Sequence, residues 1–110
     1  MLKIHIAPGE EIIETITKQL EKENIKEGSM TLIGAVDSCC ISTMSKQDAK
    51  KDILTEYHEP LELSGTGEIS NGKPHIHVTL GRENNQAIFG HLHWGKVTEW
   101  FVNVYITPLS

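Results

Sequence analysis

Apolar residues recur with two different periods in the first quarter of the chain. Residues 2–6 alternate apolar and polar side chains, which predicts a β-strand that ends at Pro8-Gly9. Residues 10–24 place apolar side chains at helical spacing, with glutamates in the first turns and lysines later. That arrangement predicts an amphipathic helix whose charges suit its dipole. Its apolar stripe consists of Ile12, Ile13, Ile16 and Leu20.

The rest of the chain is rich in apolar and β-branched residues separated by turn signals, which is typical of strands. Asn71-Gly72 is a strong signal for a two-residue hairpin turn, and Asn84-Asn85 predicts a second turn. We also expect a bend near Gly34, a kink at Pro60 and a polar connection over residues 45–51. The predicted strands are 30–44, 53–63, 67–70, 74–81, 87–93 and 97–107.

The last predicted strand has two different faces, one mostly apolar and one that mixes aromatic and polar side chains. The chain offers a single helix to cover a sheet with two faces, so the second face must meet either solvent or another subunit. A mixed aromatic and polar composition fits an interface. The apolar face comprises Thr98, Trp100, Val102, Val104 and Ile106, and the mixed face comprises Glu99, Phe101, Asn103 and Tyr105.

Two His-x-His pairs are the chemically most informative feature of the sequence. His75 with His77, and His91 with His93, are spaced so that each pair shares one face of a strand. If the two strands are neighbours, up to four imidazoles converge on one patch. Neutral imidazole is a common metal ligand, and three imidazoles with a fourth position left to water form an established zinc arrangement. The alternative is a set of ordinary surface histidines.

Length and charge restrict the class of protein. A chain of 110 residues without repeats or linkers is one domain, residues 1–110. The formal net charge is -5, and the only basic cluster is Lys46, Lys50 and Lys51 in a polar loop. Because proteins that bind phosphate backbones usually present a basic face, direct nucleic-acid binding is disfavoured.

The cysteines and the apolar runs bear on location. Cys39 and Cys40 are adjacent, so on a strand they point apart and do not bond to each other. We interpret them as reduced, buried thiols of a cytoplasmic protein rather than as a redox or metal pair. The first residues lack the features of a signal peptide, and no apolar run approaches the length that spans a membrane.

Several motifs in order along nearly the whole chain resemble the plants-and-prokaryotes-conserved (PPC) domain family, in its stand-alone bacterial or archaeal form. The most specific are Asn71-Gly-Lys-Pro-His-x-His and Gly90-His-Leu, supported by Pro8-Gly-Glu, Gly34-Ala, Leu63-Ser-Gly and Gly95-x-Val97. The resemblance implies an α+β fold with a mostly antiparallel β-sheet packed by one main α-helix, assembled as a homotrimer. It also implies zinc bound by three histidines, which here are His75, His77 and His91.

The chain departs from the family in three places. It lacks the Arg-Gly-Arg-Pro core of the AT-hook that precedes the plant domains, so the DNA-binding label of the family does not transfer. Asn103 stands where many members have an acidic residue in the last strand. His93 and Trp94 stand where aliphatic and acidic residues are commoner, so His93 is either a fourth ligand that closes the site or an imidazole beside the ligands.

Three functional classes remain open from the sequence. The first is a metal-binding trimer with an assembly or sensing role, which binds a small anionic ligand or a protein partner. The second is a metal-dependent enzyme acting on a small carbonyl or phosphate substrate, with Glu68, Glu83 or Glu99 as candidate acids or bases; its catalytic residues are unknown. The third is a DNA-binding-associated accessory protein. A cupin-type metal enzyme fits less well, because Glu83 lies too far from the histidines in sequence.

One further expectation concerns the space around the proposed metal. Gly81 and Gly90 flank the histidines and would leave room beside them. Such room favours an open coordination position over a closed structural site.

Overall fold

A computed structural model describes residues 1–109 of the protein as a single eight-stranded sheet with one α-helix. A short 3-10 turn, Glu83–Asn85, joins two of the strands. The helix is α1, Ile12–Glu23. The strands are β1 Leu2–Ile6, β2 Gly28–Val36, β3 Ser38–Met44, β4 Asp52–Tyr57, β5 Leu61–Ser70, β6 Lys73–Arg82, β7 Gln86–Lys96 and β8 Val102–Pro108.

The strands form one sheet in the order β1-β8-β2-β5-β6-β7-β3-β4, and every neighbouring pair is antiparallel. The predicted α+β class with an antiparallel sheet is therefore confirmed. The predicted hairpin is also present: Asn71 and Gly72 have φ angles of 55° and 77° and connect β5 to β6. A left-handed conformation at both central residues matches the twist of the flanking strands.

The helix begins and ends at side-chain and backbone caps. The carboxylate of Glu11 accepts hydrogen bonds from the backbone N–H groups of Ile13 and Glu14. The same carboxylate accepts the N–H of Gly95 at 2.8 Å, which ties the helix start to β7. Asn24 ends the helix with a left-handed φ of 54°. The predicted helix is confirmed and is slightly shorter than residues 10–24.

The hydrophobic core lies between α1 and one face of the sheet, because alternate strand residues are buried there. We call the opposite, solvent-accessible face the outer face; the side chains of Ile33, Thr66, His75, His77 and Phe89 lie on it. The fully buried side chains include Ile6, Ile12, Ile16, Leu20, Leu61, Ile69, Ile76, Val78, Leu80, Val104 and Ile106. The expectation of one covered and one uncovered face agrees with this burial pattern.

The predicted strand 30–44 is wrong as a single strand. The chain breaks at Asp37, and β2 and β3 lie apart in the sheet. The carboxylate of Asp37 accepts the backbone N–H groups of Thr98 and Glu99, at 2.8 and 3.1 Å. These bonds hold Asp37 against the loop that precedes β8, at the point where the chain leaves β2.

Two other predicted boundaries also need correction. The segment 53–63 is divided at residues 58–60 into β4 and β5, and β5 continues through the glycine-rich stretch 64–67 to Ser70. The last strand begins at Val102 instead of Val97, because the preceding residues form the loop held by Asp37. Trp100 is consequently 66% exposed and does not join the apolar face.

Candidate metal centre

Strand alternation and register bring three of the predicted histidines together. His75 and His77 lie on the outer face of β6, and His91 of β7 is directly opposite His77. On the next strand to either side, Thr66 of β5 lies opposite His77 and Ser42 of β3 lies opposite His91. The cluster therefore follows from the β6–β7 pairing.

The geometry of the three imidazoles suits one metal ion. A ligand nitrogen from each of His75, His77 and His91 lies within 4.8 Å of the other two. Because zinc–nitrogen bonds are about 2.0–2.1 Å long, two nitrogens on one ion are at most about 4.2 Å apart. Coordination of one ion therefore requires the most distant nitrogens to move together by about 0.6 Å. The donor set fits zinc, since three neutral nitrogens leave a fourth position free.

Electrostatics favour the neutral form of the central histidine. Burial lowers the pKa of His91 below its ordinary value of 6.5, and the neighbouring imidazoles of His93, His75 and His77 lower that pKa further. The carboxylate of Asp52 acts in the opposite direction. A neutral imidazole keeps a lone pair for a metal ion, so His91 is prepared for coordination near neutral pH.

His93 lies beside the cluster but outside the group of three. Its ring centre is 4.9 Å from that of His91, and its Nε2 lies 2.8 Å from the Ser42 hydroxyl. The β3–β7 register shifts here, and His93 is the additional residue of the bulge, since Trp94 faces Cys40 while Leu92 faces Ile41. The observed contact with Ser42 favours a neighbouring imidazole over a fourth ligand.

Two open cavities border the cluster, and His77 lines both. One, of about 270 Å³, is completed by Thr66, Gly67, Glu68 and His75. The other, of about 400 Å³, has mixed polar and apolar walls. Its lining residues are Ser42, Thr43, Met44, Ala49, Asp52, His77, Phe89 and His91.

The expected role of Gly90 in providing this space is wrong. A Cβ at Gly90 would lie 2.9 Å from the Ser42 carbonyl oxygen and 3.0 Å from Ile41 Cβ, so the neighbouring strand already fills that side. Gly81 has more room, with Glu62 Cβ as its nearest atom at 3.7 Å. The openness of the site comes from its position on the outer face and not from Gly90.

Of the three candidate acids, only Glu68 lies at the site. Its Oε2 is 3.3 Å from Nδ1 of His75. Glu83 lies in the turn after β6, and Glu99 lies in the loop held by Asp37. Sequence reasoning missed Asp52, which lines the larger cavity, because no local motif marks it.

The remaining sequence candidates lie outside the cluster. Asn103 pairs with His5, with its Oδ1 2.7 Å from Nδ1 of the imidazole. Cys39 and Cys40 are free and buried, as expected. Burial raises the pKa of Cys39 to about 11 and also raises that of Cys40, so neither thiol ionises readily. No helix within residues 1–109 is long and apolar enough to cross a membrane.

The fold and the cluster define an α+β protein with a three-histidine group, able to hold a metal, on its outer sheet face. The model of the Plants and Prokaryotes Conserved (PCC) domain matches residues 2–110, and the chain belongs to this family. The family resemblance noted from the motifs is thereby confirmed. No curated protein matches the chain.

Solved structures with the same fold cover nearly the whole chain. A metal-containing protein from Archaeoglobus fulgidus is 32% identical, with a TM-score of 0.87 over 99% of this chain and 79% of its own. A plant- and prokaryote-conserved protein from Pyrococcus horikoshii is 25% identical, with a TM-score of 0.84 over 99% and 78%. A candidate DNA-binding protein from Bacteroides thetaiotaomicron is also 25% identical, with a TM-score of 0.86 over 98% and 78%.

Proposed function

We propose that the protein is a homotrimeric zinc-binding protein that holds the ion with His75, His77 and His91 and keeps one coordination position open. The observation that carries the proposal is the convergence of three imidazole nitrogens within 4.8 Å on two paired strands. The open position takes a small anionic ligand or a side chain of a protein partner. The relative from Archaeoglobus fulgidus, which is a metal-containing protein, supports the metal.

Exposed apolar side chains on the outer face support the trimer. Ile33 is 60% exposed and Phe89 is 55% exposed, and Phe101 is exposed at the end of the neighbouring loop. Met44 and Leu54 add to this apolar surface on the β3–β4 ribbon. Several large apolar side chains exposed on one face are consistent with an interface between subunits. The free, buried cysteines support a reducing, cytoplasmic setting.

The metal assignment is tested by measuring zinc in protein purified without added metal or a metal column. The wild type should hold one zinc per chain, and His77→Ala should abolish stoichiometric binding. His5→Ala is the matched control, because His5 is an exposed strand histidine that pairs with Asn103 outside the cluster. Full zinc content in His77→Ala would reject the assignment.

Sedimentation equilibrium at micromolar concentration tests the proposed trimer, and a monomer at that concentration would contradict it.

A second candidate function is a metal-dependent enzyme, favoured by the two carboxylates that border the histidines. Glu68 lies beside His75, and Asp52 lines the cavity that contains His77 and His91. A bound metal would supply Lewis acidity toward a small carbonyl or phosphate substrate. Either carboxylate could then accept a proton from a substrate or water. Turnover of a test ester or phosphomonoester that disappears in Asp52→Asn while zinc content is retained would support this function.

A further inference from the structure

We infer that Glu68 is a positioning residue for the metal centre, which accepts a hydrogen bond from Nδ1–H of His75 and leaves Nε2 of that ring free for the ion. The inference rests on the proposed zinc site. The two residues are directly opposite each other on β5 and β6, and Oε2 of Glu68 lies 3.3 Å from Nδ1 of His75. Both side chains therefore project from the same side of the sheet.

The chemical need for such a partner comes from the two tautomers of neutral imidazole. Either ring nitrogen can carry the proton, and only the other nitrogen has a lone pair for a metal. A carboxylate acceptor beside Nδ1 selects the tautomer with the proton on Nδ1. It also fixes the orientation of the ring. The side chain then loses less conformational freedom when the metal binds, so binding is more favourable.

Outside the group of three, His75 has the least support: its ring lies 5.1 Å from those of His77 and His91, but no further aromatic ring within residues 1–109 packs against it. His91 is partly buried, with His77 and His93 beside it, and His77 packs edge-on against Phe89 at 5.5 Å. The side chain of His75 is 49% exposed, and within residues 1–109 Glu68 supplies its side-chain hydrogen bond. An exposed ring without that bond would sample several orientations, so the carboxylate has most effect at this ligand.

The backbone also places Glu68 close to the ligand strand. Gly67, the residue before it, has no side chain, and a Cβ there would lie only 2.7 Å from the carbonyl oxygen of His75. The close approach of β5 and β6 at this point keeps the carboxylate within reach of the imidazole. Because the Glu68 side chain is 67% exposed, solvent competes for it. We expect its effect at the lower end of the range for such partners, about tenfold in metal affinity.

The test is zinc affinity measured by competition with a chromophoric chelator. Glu68→Ala should bind zinc about tenfold more weakly than the wild type, in the lower part of the range for lost partners of metal ligands. Glu68→Gln should recover most of the affinity, because its amide oxygen still accepts from Nδ1–H. Glu62→Ala is the matched control: Glu62 lies on the same face of the same strand, and the substitution removes the same charge away from the histidines. It should bind zinc as the wild type does.

A second measurement separates positioning from a general charge effect. Nitrogen NMR of the metal-free protein at mildly basic pH should show the His75 proton on Nδ1 in the wild type and a tautomer mixture in Glu68→Ala. Wild-type affinity in Glu68→Ala, or equal losses in Glu68→Ala and Glu62→Ala, would overturn the inference. So would loss of zinc binding in Glu68→Gln without a tautomer change, which would make the carboxylate a direct ligand. A wild type that binds no zinc would instead reject the proposed function.

Discussion

Gly67 links the packing of the sheet to the proposed metal centre, so Gly67→Ala is an informative perturbation. The added Cβ would lie 2.7 Å from the carbonyl oxygen of His75, 3.0 Å from Ile76 Cγ1 and 3.2 Å from Met30 Cγ. The first of these atoms belongs to the backbone of β6 and cannot move aside by a side-chain rotation. The substitution therefore has to displace the strand that carries two proposed metal ligands.

The size of the effect follows from these distances. Ordinary van der Waals contact begins near 3.4 Å, so the carbonyl oxygen of His75 and the new methyl group must separate by about 0.7 Å. Overpacking of a well-packed core costs about 1–3 kcal/mol. For a domain of this size, that corresponds to a fall in Tm of about 4–12 °C. A shift of that size also exceeds the tolerance of about 0.5 Å within which a site keeps its geometry, so zinc affinity should fall as well.

Denaturant unfolding and chelator competition measure the two effects. Gly81→Ala is the matched control on the same pair of strands, because its Cβ would meet nothing closer than Glu62 Cβ at 3.7 Å. We expect that control to change stability by less than about 0.5 kcal/mol, as surface substitutions usually do. If Gly67→Ala unfolds at the wild-type denaturant concentration and binds zinc equally well, the close approach of β5 and β6 does not constrain the site.

Three further predictions concern metal, nucleic acid and pH. Chelation of the proposed metal should leave the fold and the proposed trimer largely intact. It should abolish the binding of small carboxylates or phosphates. Unfolding or dissociation on chelation would identify a structural site instead. Duplex DNA should show no tight, salt-sensitive binding, because the net charge is -5; titrations at about 50 and 200 mM salt decide this. Since the pKa of His91 is lowered on folding, the unfolded chain takes up the proton first, and the metal-free protein should lose stability as pH falls below 6.5. Unfolding curves at about pH 7.5 and 5.5 should show that loss of stability, and His91→Gln should make the loss smaller. An unchanged pH dependence in the variant would assign the effect to other groups.

Local patterns predicted the features that depend on neighbouring residues in sequence. The alternation around His75 and His77 gave the correct face, and Asn71-Gly72 gave the correct turn, because both depend on geometry within a few residues. The prediction that His91 lies beside His75 and His77 required only that β6 and β7 pair. Strands that are consecutive in sequence usually do so.

Features that depend on distant residues were not predictable in the same way. The chain breaks at Asp37, whose carboxylate accepts hydrogen bonds from backbone groups about sixty positions later in the sequence. Asp52 reaches the site only because β3 pairs with both β7 and β4. The position of His93 depends on a shift in the β3–β7 register, which no periodic pattern reveals. Each of these features depends on contacts between residues that are distant in sequence.

The place of β8 in the sheet has a consequence for the order of folding. β8 is the last strand within residues 1–109, yet it lies between β1 and β2. Within residues 1–109, β1 has no other strand partner. During synthesis β1 therefore stays unpaired until β8 has been made. The two strands then pair across a sequence separation of about a hundred residues. Pairing over so long a sequence separation is intrinsically slow. A nascent chain that stalls before residue 102 would expose both β1 and the free edge of β2 to other chains.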